Sequence, residues 1–582
     1  MMFQLLAALC VVSGVFHLPE GVAAADVTAP AGRVSGLELD VLGSKVNEFL
    51  GIPFAKPPVG NRRFKHAEAL PPWDGIYNAT RKPQACVQQV NADEYSLWAL
   101  NTMTSEDCLF LSVWQPSPAP TGAAVMVWIY GGSFQRGAST APTYDGRYLA
   151  ATEGVIVVGV NYRVSTLGFL YAGTDDAPGN VGLTDQVLAL KWVKNNIAAF
   201  GGDPAKVTLF GESSGGSCVA FHLLSPGSRD LFNRAILQSG TALITWGRDT
   251  KGAAYEKTLT IAKAVGCPTD QGKAKMLECF RGKKGQELVS SSTLGYTSFY
   301  PTEDGTVIPE SPFVSYEKGA FKKADILLGS NENEGTYFLE SFAAPGFSAD
   351  TESLITKQQY LEGIPYMVAE INEFAVDAAA FQYTDWHNLN KASMYRDAID
   401  SLYTDFYFVC PDVMTGRGHV REGATAYMYR FAHRASVSPF APWMGVIHGE
   451  ELPFVFGLPL DPAYGFNQTE RNLTSRMMRH WANFARTGNP NSNNEKLWSP
   501  FDLTAGRYLV LDTAEPRMEP GPSTENCAFW ETYVTPLMKK TDTLKNDLKT
   551  CTSGTPGKHL RGIYETIVIF CSLVSMRIFL LD

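Results

Sequence analysis

Short apolar runs alternate with helical patterns along most of the chain. Residues 123–130, 155–161, 207–210, 234–238, 326–329 and 425–431 read as β-strands. Between the second and third runs, Leu183, Val187, Leu190, Val193 and Ile197 recur at helical spacing, and Gly201-Gly202 closes the pattern. Strands that are apolar almost throughout, separated by helices, predict a mostly parallel sheet covered on both faces. No repeat or low-complexity linker divides residues 26–540, so the pattern predicts one large α/β domain there.

The ends differ from this body. Residues 1–25 open with an apolar run and close on Ala23-Ala24-Ala25, the pattern of a secretory signal peptide cleaved near Ala25. In the tail, 541–582, small residues at 552–555 precede a polar spacer with Lys558, His559 and Arg561, then an apolar stretch over 563–581. The charge-free part, 566–576, is too short to span a bilayer. Small site, spacer and apolar tail form the pattern of a GPI-attachment signal. With a signal peptide, the N-x-S/T triplets at Asn78, Asn467 and Asn472 become candidate glycosylation sites, and an extracellular location, secreted or on the cell surface, is expected.

Composition narrows the function classes. The 582 residues are 45% hydrophobic and 19% charged, which excludes a disordered or collagen-like chain. The formal net charge of −10 argues against nucleic acid as a partner and favours attraction of cations.

The most informative segment is FGGDPAKVTLFGESSGG, residues 200–216. A strand runs directly into Gly211-Glu212-Ser213-Ser214-Gly215 and a helix follows. This is G-x-S-x-G in the strand-turn-helix setting that lifts a serine hydroxyl above a sheet. Such a hydroxyl needs a base, and the base needs an acid to orient it. In chain order the acid comes next, and both Glu332 and Glu334 stand at the end of the 326–329 strand; residue chemistry does not choose between them. Downstream histidines are His387, His419, His433, His448, His480 and His559, of which His448 follows the 425–431 strand. The turn Gly131-Gly132-Ser133-Phe134 and the amide of Ser214 offer backbone donors for an oxyanion.

These residues resemble the type-B carboxylesterases, and among them the cholinesterases. The resemblance covers roughly residues 30–535 through FLGIPFAKPPVGNRRF (49–64), SEDCLFLSVW (105–114), VWIYGGSF (127–134), the Ser213 block and WMGVIHGEELPFVFGLPL (443–460). It implies an α/β-hydrolase fold and a serine esterase with the triad Ser213, Glu334 and His448. It implies an oxyanion hole from the amides of Gly132, Ser133 and Ser214, with no metal or organic cofactor. It also implies disulfides Cys86–Cys108, Cys267–Cys279 and Cys410–Cys527, a buried Cys218, and an unpaired Cys551 joining two subunits into a homodimer.

Hydrolysis of choline esters, acetylcholine foremost, follows from the aromatic residues at matching positions. A quaternary ammonium is held by aromatic faces. Trp98 lies ten residues before Cys108, the spacing of the choline-binding tryptophan in the cholinesterases it resembles, Tyr337 and Phe338 follow Glu334, Tyr144 matches the family's tyrosine behind that tryptophan, and Glu212 adds negative charge. Trp246 matches an acyl-pocket tryptophan, whereas Gly295 and Thr297 replace bulky aromatics, so a widened acyl pocket is expected. Ser133 replaces a glycine, Gln135 and Ser341 replace rim tyrosines, Asp93 offers one rim charge, and Glu450 is expected to attract the cation. The alternatives are a broad-specificity carboxylesterase and a non-catalytic adhesion protein of the same fold.

Overall fold

In the computed structural model of the chain, the described residues are 23–90, 99–295, 297–492 and 497–553, with the side chains of 291, 292 and 545–553 left aside. Trp98, Asp93, residues 1–22 of the expected signal peptide and residues 554–582 of the tail lie outside them. The described residues form two compact units. The first runs from Ala23 to Glu332 and takes in Tyr407–Phe440 and Gly445–Pro522; the second comprises Asn333–Phe406, Ala441–Met444 and the residues from Ser523 on.

The first unit contains one 13-stranded sheet. In chain order its strands are β1 (Ala23–Ala29), β2 (Gly32–Val41), β3 (Ser44–Pro53), β4 (Ile76–Asn78), β5 (Phe110–Ser117), β6 (Ala123–Ile129), β7 (Ile156–Val160), β8 (Gly202–Glu212), β9 (Arg234–Gln238), β10 (Ile326–Asn331), β11 (Ala426–Phe431), β12 (Tyr508–Leu511) and β13 (Arg517–Glu519). Their spatial order is β1-β2-β3-β5-β7-β6-β8-β9-β10-β11-β12-β13, with β4 beside β2. From β7 to β12 every pairing is parallel. The six strands expected from apolar runs are β6 to β11. They are buried on both faces, which is why they read as continuous apolar runs rather than alternating ones.

The antiparallel strands β1, β2, β3 and β5 extend the sheet at one side. Because β1 begins at Ala23, cleavage after Ala25 would remove its first three residues and leave Asp26–Ala29 paired with β2.

Helix α1 (Val181–Asn196) carries the predicted apolar stripe, and Gly201 ends the segment in a left-handed conformation at φ 80°. Helix α2 (Ser214–Leu224) follows β8 after a single intervening residue, Ser213. An aromatic cluster of Trp128, Tyr144, Phe210 and Phe456 packs between β6, β8 and the segments beyond. Register places Ile129, Gly211 and Leu237 side by side, so the loops after β6, β8 and β9 emerge at one edge. Open α/β sheets bind ligands at this carboxyl edge.

The second unit is helical: α3 (Glu334–Ser341), α4 (Lys357–Met367), α5 (Glu373–Tyr383), α6 (Met394–Thr404) and α7 (Thr535–Ser553). Thr356 and Gln359 form a capping box at the start of α4, and Asn372 caps α5. The start of α3 is held by α6. The Asn333 amide donates to Asp400 at 2.8 Å, and the Gly335 N–H donates to the Thr404 hydroxyl at 3.0 Å. Asn372 also donates to Thr541, joining α5 to α7 at 2.8 Å.

Cys86–Cys108 and Cys267–Cys279 are bonded as expected, Cys410 and Cys527 are each disulfide-bonded, and Cys218 is a buried free thiol. Among the described residues no helix is long and apolar enough to cross a membrane.

Candidate active site

The turn between β8 and α2 has the geometry its glycines foreshadow. Ser213 sits at φ 57° and ψ −130°, a conformation an L-residue adopts only under constraint. Its N–H donates to the Gln238 carbonyl at 2.9 Å, and only 7% of its surface is exposed. A Cβ at Gly211 would lie 2.6 Å from Gly215 backbone, and one at Gly215 would overlap the Ile129 carbonyl. A Cβ at Gly240 would overlap the Ser213 carbonyl. No side chain fits at any of these positions, so the glycines are a steric requirement of the turn.

His448 comes to this turn from the segment after β11. Its Nε2 lies 3.1 Å from Glu212 Oε1, and its ring packs 5.1 Å from that of Phe408. Gly131 faces the same place: a Cβ there would meet Ser213 Cβ at 2.9 Å and Glu212 Oε2 at 3.0 Å. Glu212, Ser213, Gly131 and the His448 imidazole therefore converge.

A buried polar network fixes the His448 segment to the strand ends. The fully buried Glu451 carboxylate accepts from Gln238 at 3.0 Å and from Asn331 at 2.7 Å. Asn331 also donates to the Ile447 carbonyl at 2.8 Å. Trp481 donates to the Gln238 side-chain oxygen at 3.0 Å. Gln238 is thus shared: its backbone holds Ser213 and its side chain holds Glu451.

The other downstream histidines are committed elsewhere. His419 and His480 bond backbone carbonyls, of Ala324 and Pro490, at 2.9 Å each, and His433 lies 3.1 Å from Glu470. Burial lowers His419 to about 4. His387 is exposed, and His559 lies outside the described residues.

The two candidate acids also separate. Glu332 is half-buried and pairs with Arg430 at 3.3 Å. Glu334 is fully buried at the first position of α3 in the second unit. On the same helix Tyr337 is half-buried, with its ring 5.4 Å from Phe338, and Phe338 packs 5.2 Å from Tyr403.

The expected oxyanion turn winds tightly after β6. Gly132 has φ 114°, and its carbonyl accepts from Gln135 at 2.9 Å and Arg136 at 3.1 Å. Ser133 and Phe134 also hold positive φ, 57° and 62°. The Phe134 N–H donates to Ser214 Oγ at 3.1 Å. The Phe134 ring lies 6.1 Å from Trp246 and 6.2 Å from Tyr300.

The acyl-side residues divide. Trp246 joins the wall beside Phe134, with Tyr300 at 6.0 Å. Gly295 is exposed at φ 52°, with nothing within 4 Å of where a Cβ would stand, and Thr297 is half-buried. The Gln135 amide donates to the Phe299 carbonyl at 2.6 Å, tying the oxyanion turn to this loop.

Sequence reading missed Tyr300 and the Gln135 strap. The aromatic directly before Pro301 was the available signal for the first. The Glu450 carboxylate, expected to attract the cation, accepts the Ala435 N–H at 2.9 Å, and burial pushes its pKa to about 7. Tyr144 packs in the core cluster, 4.9 Å from Trp128. Asn78, Asn467 and Asn472 are all exposed.

Comparison with known proteins agrees with this geometry. The carboxylesterase family model matches residues 23–530. The chain is 42% identical over 552 residues to an acetylcholinesterase of Bungarus fasciatus, covering 92% of this chain and 91% of that protein. It is 41% identical over 548 residues to a cholinesterase of Mus musculus, with 92% and 90% covered. It is 42% identical over 569 residues to an acetylcholinesterase of Danio rerio, with 89% of each covered. A serine elbow at the carboxyl edge of a parallel sheet, a histidine brought to it from far downstream, and a family match across nearly the whole chain lead to one assignment: the chain belongs to the carboxylesterase family.

Proposed function

We propose that this chain is a serine esterase that hydrolyses choline esters through an acyl-enzyme intermediate. The observation that carries the reading is the convergence of the strained Ser213 turn with the His448 imidazole. Ser213 Oγ attacks the acyl carbon as His448 accepts its proton, and Glu334 has the role of orienting that imidazole and stabilising its charged form. The oxyanion is received by the amides of Gly132, Ser133 and Ser214. His448 returns the proton to the departing choline oxygen. Water, activated the same way, then cleaves the acyl-enzyme and regenerates Ser213.

Glu212 places a carboxylate 3.1 Å from His448 Nε2, where it favours both an imidazolium and a cationic substrate. Trp98 and Tyr337 are assigned the aromatic walls for the quaternary ammonium, and Trp246 the acyl side. With no side chain at Gly295, the acyl pocket admits chains longer than acetyl. Ser213→Ala should lower turnover by about 10⁴–10⁶. Trp98→Ala should damage acetylthiocholine hydrolysis far more than that of its uncharged carbon analogue; equal losses contradict the choline assignment and leave a broad carboxylesterase.

The protein is proposed to be extracellular, with 1–25 removed, glycans at Asn78, Asn467 and Asn472, and a lipid anchor replacing the end of the 541–582 tail. A homodimer is supported by the apolar side chains that the second unit leaves exposed: Phe374 and Phe381 on α5, Tyr533 before α7 and Leu544 on it. Cys551 belongs to α7 as well, and an interchain disulfide is proposed for it. Phospholipase release from intact cells and reducing against non-reducing gels test the anchor and the disulfide.

A further inference from the structure

The proposed mechanism uses the backbone amide of Ser214, the residue after the nucleophile, and leaves its hydroxyl without a role. That hydroxyl is fully buried and accepts the Phe134 N–H at 3.1 Å across 80 residues of chain. That bond joins the two loops that supply the oxyanion donors, Gly132 and Ser133 from one and Ser214 from the other.

The first loop needs such a tie. Ser133 and Phe134 are consecutive non-glycine residues at positive φ, a sparsely populated conformation that persists only where the surroundings hold it. Two hydrogen bonds hold Phe134 by its backbone: its carbonyl accepts from Ser165 at 2.7 Å, and its N–H goes to Ser214 Oγ. Its ring is fully buried against Phe169, Trp246 and Tyr300, so water is no substitute partner for the N–H.

We infer that the Ser214 hydroxyl is a positioning group that clamps the oxyanion turn to the nucleophile elbow, and that it is what allows Ser133 to stand where glycine would relax without strain. This inference rests on the hydrolase reading above. It adds that the two halves of the oxyanion hole are coupled through one side-chain oxygen.

The test compares Ser214→Ala, Ser133→Gly and the double variant in the full chain, with Ser213→Ala as reference. Abolition of wild-type turnover by Ser213→Ala establishes the hydrolase reading whatever Ser214→Ala does. For Ser214→Ala, kcat should fall on the order of 10-fold while KM moves less than about 3-fold, since an oxyanion contact matters most in the transition state. In the double variant part of that loss should be recovered, because glycine at 133 no longer needs the clamp. Hydrogen exchange gives a readout that does not depend on turnover. The Phe134 amide, protected in the wild type, should exchange at least about 10-fold faster in Ser214→Ala. Unchanged kcat in Ser214→Ala, independent effects of the two substitutions, or unchanged Phe134 exchange would each overturn the inference. If Ser214→Ala misfolds, Ser214→Cys, whose sulfur is a weaker acceptor, gives a graded test: a smaller fall in kcat with a smaller rise in Phe134 exchange supports the inference, and wild-type values of both overturn it.

Discussion

The two loops that frame Ser213 hold positive φ by different means. In the elbow a single strained residue, Ser213, is surrounded by Gly211, Gly215 and Gly240, where a Cβ would strike backbone. In the oxyanion turn, of the three residues at positive φ only Gly132 is a glycine, and Ser133 and Phe134 carry side chains at φ 57° and 62°. The elbow is held by steric necessity, so its signature is written in glycines. The oxyanion turn is held by hydrogen bonds from Ser165 and to Ser214 and by a buried ring, so its conformation is written in partners far along the chain. One loop was legible in the sequence, and the other only in part.

If steric necessity governs the elbow, Gly215→Ala should have the largest effect. The added methyl overlaps the Ile129 carbonyl, backbone that has no room to move at the centre of the sheet. The cost should reach about 3 kcal/mol or more, read in denaturant unfolding, with turnover lost along with the elbow. Alanine tolerated there would contradict the steric account.

The hydrogen-bonded side of the site should fail more gradually. Glu451→Ala leaves the buried Gln238 amide without its acceptor, at about 1–3 kcal/mol for each donor so stranded. Glu451→Gln should recover part of the loss, and activity should fall through displacement of the His448 segment.

A pH series separates the regions further. Burial raises the pKa of Asp400 to about 7, and that of Glu450 likewise to about 7, while in the unfolded chain both carboxyls titrate like any exposed carboxylate, at about 3.9 for Asp and about 4.3 for Glu. The native state therefore holds protons that the unfolded chain has released. Stability should fall as pH rises from about 4 to 7 and level off above that. Asp400→Asn should flatten the part of this slope that belongs to the second unit, measured as melting temperature against pH; an unchanged slope would remove Asp400 from the account.

The smallest effect is expected on the acyl side. Thr297→Phe should shift preference from butyryl toward acetyl esters by on the order of tenfold with little change in stability.

The six parallel strands were legible because burial on both faces makes them apolar throughout. The N-terminal strands were not, since β1 begins within the small-residue stretch that also suits a cleavage site. The second unit escaped notice because it is assembled from three separated segments, with no linker to mark it. Glu334 and Glu332 look alike in sequence; only burial of one and the Arg430 pairing of the other tell them apart.

The central claim is that Ser213 is an activated nucleophile. Treatment of the intact protein with a fluorophosphonate, followed by peptide mass spectrometry, tests it most directly. The account predicts one label per chain, on the peptide containing Ser213, with the rate of labelling reduced by orders of magnitude in His448→Ala. A folded wild-type chain that remains unlabelled, or one labelled at another serine, would contradict it.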